Sequence, residues 1–149
     1  MNNQTQKLIL AVGAPASGKS TISKKYAEKN GMVYLSTDEA RAKFGSGEED
    51  QSVSNIAFDY VKKKMREGLS MGKSVLIDAT NMNKSSRHEF LKDVPSKVKK
   101  IAMVFEVPRD ELIRRDSARS RTVGIEVIDH FLNKYEKPTT EEFDQVIMM

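Results

Sequence analysis

The chain has no cysteine, and that absence removes disulfides, thiol nucleophiles and cysteine-based zinc sites together. Only two histidines occur, His88 and His130; they stand apart, without metal-ligand spacing, and are expected to face solvent. No apolar run approaches the roughly 20 residues that a membrane span requires, so no membrane partner is expected. The opening residues 1–7 are short and polar, unlike a secretory leader. There is no internal repeat, no low-complexity tract and no Pro/Gly-rich linker. A length of 149 residues therefore reads as one domain, residues 1–149, large enough to bury a real core. A net charge of +4 permits a polyanionic partner without demanding one.

What the chain does have is a complete phosphate-loop motif. Residues 13–20 read Gly13, Ala14, Pro15, Ala16, Ser17, Gly18, Lys19, Ser20, of the form GxxxxGKS, followed by Thr21. The motif carries meaning only between a strand and a helix, and it follows the apolar run from Leu8 to Val12 and precedes a helix-favouring stretch. A triphosphate needs several backbone N–H groups aimed at it, and Gly13 and Gly18 let the loop curl around the anion. The next helix adds its positive N-terminal end. Lys19 is placed to reach the β/γ-phosphates and the Ser20 hydroxyl to ligate Mg²⁺. A nucleoside triphosphate is the expected ligand.

Apolar runs alternate with helical patterns. Strands are expected at 7–12, 32–35, 74–77, 100–107 and 143–148, and helices at 19–30, 52–71, 85–92, 109–118 and 125–135. Val53, Ile56, Ala57, Tyr60, Val61, Met65 and Leu69 recur at helical spacing, and Gly72 stops that helix. Pro108 followed by Asp110 and Glu111 marks another helix start. Met65, Met71, Met82 and Met103 read as core filler. The order implies an α/β fold, a mostly parallel sheet with helices on both faces. Such sheets bind ligands at the carboxyl ends of their strands. Residues 45–50, rich in Gly, Ser and acid, are the expected mobile loop.

Site candidates therefore follow each strand. After the second come Asp38 and Arg41, on one face if a helix begins there. The acid could take the proton of an attacking hydroxyl, and the arginine could grip an acceptor phosphate. Equally, Ser36 and Glu39 form a capping box, and Asp38 suits a helix's first turn. After the third, Val75, Leu76, Ile77 and Asp78 make a Walker-B pattern whose acid lies near Mg²⁺; Thr80 and Asn81 could donate to phosphate or sugar oxygens, or Asn81 or Asn83 could simply cap a helix. Arg87, one turn on, reaches the same cleft or a solvated face. Farther along stand Arg114, Arg115, Arg119 and Arg121, with few matching acids. Arginines on a closing flap stabilise phosphoryl transfer, with Gly124 as the hinge; a charged helix paired with Asp110, Glu111 and Asp116 is the alternative.

Together these segments resemble the 5′-hydroxyl polynucleotide kinase family, the kinase domains of phage and bacterial RNA and DNA end-repair enzymes. The similar stretches are GAPASGKS (13–20), STDEAR (36–41), IDATNMNKSSR (77–87) and RRDSARSR (114–121), and the likeness covers at least residues 7–135. It implies a P-loop kinase fold with a five-stranded sheet and an Arg-rich lid at about residues 114–124, and ATP-dependent phosphorylation of 5′-hydroxyl ends of DNA or RNA. Lys19 and Ser20 would hold ATP and Mg²⁺. Asp38 matches the general base, Arg41 the acceptor-phosphate ligand, and Arg119, with Arg115 or Arg121, the lid arginine. Asp78 matches the essential acid of some relatives; in others that acid aligns with Ala79. By the same likeness, Asp38 or Asp78 could join Ser20 at the metal. The phosphatase domain that phage enzymes often carry is not expected here, and a cytoplasmic location is (host cytoplasm if phage-encoded). A small-molecule or nucleotide kinase is the main rival, a non-catalytic nucleotide switch the second.

Overall fold

The computed structural model describes residues 5–45, 54–120 and 122–149. Arg121, residues 46–50 of the expected loop and the start of the helix expected from residue 52 lie outside the described residues.

Five strands form one sheet: β1 (Lys7–Gly13), β2 (Val33–Ser36), β3 (Val75–Asp78), β4 (Lys99–Phe105) and β5 (Gln145–Met148). Their order is β2-β3-β1-β4-β5 and every pairing is parallel. The expected mostly parallel sheet is thus wholly parallel among the described residues. β1 sits at the centre because it is apolar on both sides. Leu8, Leu10 and Val12 pack into one core, with Val61 and Met65; Ile9 and Ala11 pack into the other, with Ala27. Side chains alternate faces along a strand, so a strand covered twice reads as a continuous hydrophobic run. Burying each large aliphatic contributes about 1.5–3 kcal/mol, which pins β1 and fixes the point at which the phosphate loop leaves it.

The helices are α1 (Lys19–Lys29), α2 (Thr37–Phe44), α3 (Ser54–Ser70), α4 (Lys84–Leu91), α5 (Arg109–Ser117) and α6 (Ile125–Lys134). α3 ends as its sequence requires: Gly72 takes φ +79° and the Lys73 N–H returns to the Gly68 carbonyl at 3.0 Å, a left-handed stop that glycine makes without a Cβ clash. α2 begins directly on the tip of β2, where the Ser36 hydroxyl accepts the Glu39 N–H at 3.2 Å. The Ser36 cap and the placement of Asp38 are therefore not alternatives; the cap starts the helix that carries the acid.

Most element ends fall within one residue of expectation; two strand ends differ by more, and one assignment differs. The strand expected from residue 143 starts at Gln145, because Phe143 is buried in the core and Asp144 exchanges hydrogen bonds with the Lys100 backbone, both at 2.8 Å. β4 stops at Phe105, as the chain turns outward toward Pro108. Met65, Met82 and Met103 are buried, but Met71 is 68% exposed, since it lies in the turn after α3. No helix among the described residues is long and apolar enough to cross a membrane.

Candidate active site

The phosphate loop leaves the carboxyl end of β1 between β3 and β4, where the strand order reverses and parallel sheets open a crevice. Ala16 (φ +71°) and Gly18 (φ +83°) are both left-handed, so the loop coils back on itself before α1 begins at Lys19. Gly13 is required for a different reason. A Cβ there would lie 2.8 Å from the Ser17 hydroxyl and 3.1 Å from the Phe105 Cβ. Its N–H donates to the Thr80 carbonyl at 3.0 Å, which ties the loop to the end of β3. The result is a turn of backbone donors at a helix N-terminus, the geometry that holds phosphate.

Lys19 is buried, and its ammonium donates to the Asp78 carboxylate at 2.8 Å. The Tyr34 hydroxyl donates to the other oxygen of the same carboxylate. Burial alone would raise the Asp78 carboxyl, but the Lys19 charge and the hydrogen bonds from Lys19, Tyr34 and Ser20 outweigh it and hold the group below its usual value. The same contact and burial push the Tyr34 phenol upward, so it remains a donor. Tyr34 was missed in the sequence. It stands beside Leu76 in register, two residues before Asp78 and hence on the same face, but only the strand pairing shows this.

Asp38 and Arg41 both line the cleft that the phosphate loop walls, together with Thr80, Arg115 and Arg119. The Arg41 guanidinium donates to the Asp38 carboxylate. Asp38 is the more open of the two, with its side chain 53% exposed against 23% for Arg41. The cleft's volume is about 880 Å³, and Val123, Val127 and Phe131 give it an apolar end.

The arginine-rich segment is more fully paired than its sequence suggests. Arg114 and Arg115 both donate to Glu111, at 2.6–2.8 Å, and Arg119 donates to Asp116 at 2.9 Å. Arg115 also donates to the Ser17 carbonyl at 3.2 Å, inside the phosphate loop. Asp116 is buried and accepts the N–H groups of Val123 and Gly124, each at 3.0 Å. Gly124, expected as a hinge, is the φ +92° residue before α6, and its N–H is held by that carboxylate. Burial would raise Asp116, yet those backbone donors and Arg119 keep it low.

Two expected substrate ligands lie elsewhere. Arg87 is fully buried; it makes a two-point pair with Glu142 at 2.8 and 3.1 Å and donates to the Asn81 carbonyl at 2.8 Å. The Asn81 amide donates to the Ala11 carbonyl at 2.8 Å, while its backbone takes φ +50°. Both residues are buried and neither is among those that line the cleft. Asn83 caps α4 by accepting the Ser86 N–H at 2.9 Å. His88 and His130 are exposed, and no cluster of three or more metal-ligating His, Cys, Asp or Glu occurs among the described residues.

A family model described as an AAA domain matches residues 8–138. The chain belongs to the AAA domain family. The L-seryl-tRNA(Sec) kinase of Methanococcus maripaludis is 30% identical over 140 residues, covering 90% of this chain and 54% of that protein, so the chain spans about half the length of this curated relative. Among solved structures, a chain of a Pnkp1/Rnl/Hen1 RNA repair complex superposes with TM-score 0.75 at 24% identity, over 89% of this chain and 45% of that one. A sugar kinase from Janibacter sp. HTCC2649 superposes with TM-score 0.74 at 17% identity, over 97% and 84%. At such identities these structures show a shared fold, the five-stranded α/β fold of P-loop kinases.

Proposed function

We propose that the chain is an ATP-dependent kinase that phosphorylates 5′-hydroxyl ends of DNA or RNA. One observation carries this reading: Asp38 and Arg41, delivered by the tip of β2, wall the same cleft as the phosphate loop. A hydroxyl resting against Asp38 faces a phosphate held by residues 13–20, and an acceptor phosphate can share the Arg41 fork that now holds Asp38. A seryl-tRNA kinase relative and a fold shared with an RNA repair complex support an acceptor carried on a polynucleotide.

In this reading the loop's N–H groups and Lys19 hold the donor's phosphates. Lys19 is already desolvated beside Asp78, so its reach to phosphate exchanges one anionic partner for another. The acceptor oxygen bonds to the terminal phosphorus as the bond to the bridging oxygen breaks and ADP leaves. A carboxylate is a weak base for an alcohol, so Asp38 orients the hydroxyl and takes its proton late in a loose transition state. Arg115 and Arg119 face the phosphates and neutralise charge there. The Ser20 hydroxyl and the Asp78 carboxylate are neighbouring hard oxygen donors of the kind a magnesium ion takes; when bound, the ion would supply further neutralisation of the phosphate oxygens.

The test is an acceptor panel with labelled ATP: single-stranded DNA and RNA with 5′-hydroxyl ends, the same strands already 5′-phosphorylated, free nucleosides, seryl-tRNA and sugars. Label is expected on the 5′-hydroxyl strands and not on the blocked ones. Label on sugars or nucleosides alone would replace this reading with that of a small-molecule kinase, the reading favoured by the sugar kinase's likeness in fold.

A further inference from the structure

We propose that Phe44, backed by Tyr60 and Lys43, is a stacking platform for a nucleobase of a single-stranded polynucleotide acceptor, just beyond the phosphate held by Arg41. This inference rests on the acceptor assignment above and deepens it.

Asp38, Arg41 and Phe44 follow one another at three-residue steps along α2. The helix advances about 1.5 Å per residue, so Phe44 lies roughly 9 Å along the axis from Asp38 and one step past Arg41. Each three-residue step also turns about 60° round the axis, so Phe44 lies about 120° round from Asp38. It stands outside the cleft lining and against Tyr60 of α3. A strand whose terminal hydroxyl meets Asp38 and whose next phosphate meets Arg41 reaches Phe44 by following the helix round toward α3. There the surface is built differently from the cleft. Phe44 is 39% exposed, although it ends a helix packed against α3. Its ring meets Tyr60 edge-to-face, with centroids 5.1 Å apart and planes at 71°. The Lys43 ammonium stands 4.7 Å from the Tyr60 centroid and 5.8 Å from that of Phe44, and donates to the Tyr60 hydroxyl at 3.1 Å. Lys64, which also reaches Glu67 at 3.4 Å, lies 5.7 Å from the Tyr60 centroid.

A phenylalanine that served only to dock α2 on α3 gains most when it is fully covered. Here a partly open ring is fixed in place by a second aromatic, and lysines are ranged around the pair. Aromatic faces beside cations suit a single-stranded polyanion, because each base offers a π-face and each linkage a negative charge. Stacking of this kind tolerates any base, so the platform lengthens the grip on the acceptor without reading its sequence.

The experiment uses three acceptors with the same 5′-terminal nucleoside: a nucleoside 3′-monophosphate, a single-stranded hexanucleotide, and that hexanucleotide made abasic at its second and third positions. KM and kcat are measured for the unmodified chain, Phe44→Ala and Phe44→Trp, with thermal melts of each. Phe44→Ala is expected to raise KM for the full hexanucleotide by roughly 5- to 100-fold with kcat retained. The same variant should leave the monophosphate and the abasic strand unchanged, and Phe44→Trp should restore the hexanucleotide KM. An equal loss on all three acceptors, no loss on the hexanucleotide, or failure of Trp to restore overturns the platform while the acceptor assignment stands. If the unmodified chain transfers to neither the hexanucleotide nor the monophosphate, the acceptor assignment itself falls and takes the platform with it.

Discussion

Two acid–base pairs of similar composition stand at the cleft in opposite surroundings, one reaching it only through Lys19. Lys19 and Asp78 are shut in, with side chains 8% and 2% exposed; Arg41 and Asp38 sit on the rim, at 23% and 53%. Breaking a buried pair leaves an uncompensated charge in a poorly solvated place, whereas an exposed pair is worth little to folding. In the proposed reading the two sides of the cleft divide their tasks. The side assigned to the donor is tied to the core. The side assigned to the acceptor rests on a more open pair, whose loss is expected to cost the fold less.

The largest effect should come from the rim. Asp38→Ala is expected to lower single-turnover transfer by roughly 10²- to 10⁴-fold, while ATP affinity and resistance to urea stay close to those of the unmodified chain. A parallel loss of ATP affinity, or unchanged transfer, would break the comparison, because it would make Asp38 structural or idle.

A third pair sharpens the contrast by being buried and outside the lining of the cleft. Arg87 has no exposed surface, and its guanidinium is held at two points by Glu142 and at a third by the Asn81 carbonyl. Arg87→Ala should lower unfolding free energy by about 3–5 kcal/mol, measured by urea denaturation, with transfer per folded molecule largely retained at low temperature. If activity fell while stability held, Arg87 would return to the substrate site that its place in the sequence suggested.

These outcomes also show what a sequence makes visible. The phosphate loop was legible because its physics is local: two glycines, a lysine and a serine within eight residues, between a strand and a helix. Asp38, Arg41 and Thr80 were legible through the rule that places ligands at strand tips, once the apolar runs had located those tips. Arg87 was misplaced because its partner lies 55 residues away, and no local pattern distinguishes a buried arginine from one facing a cleft. Tyr34 was invisible for want of register. α2, only eight residues long, announces itself by its cap alone. In the arginine-rich segment the count of acids understates the pairing, because Glu111 serves two arginines at once; Arg115 and Arg119 nonetheless line the cleft.

The smallest effect concerns pH, and it separates the buried pair from its exposed counterparts. The folded Asp78 carboxyl lies below its usual value, so above about 3.9, the ordinary aspartate value, both folded and unfolded forms are ionised and its full stabilisation is present. As pH falls below that point the unfolded chain takes up the proton first, and the contribution declines until pH passes the lowered folded value. Urea unfolding from pH 7 to 2 should therefore show a stability difference between the unmodified chain and Asp78→Asn that is constant down to about pH 5 and shrinks below about 4. Glu111, held down to about 2 by hydrogen bonds from Arg114 and Arg115, and Asp129, lowered chiefly by its hydrogen bond from Arg109, titrate in the same direction. Both are partly open to solvent, and salt screens such pairs more than a buried one. Repeating the series in roughly 0.5 M salt should flatten the acid decline that the exposed pairs produce in both proteins and leave the Asp78 difference in place. Curves that run parallel down to pH 2 would mean that Lys19 and Tyr34 do not hold that carboxylate, and the side assigned to the donor would then be no more firmly tied than the rim.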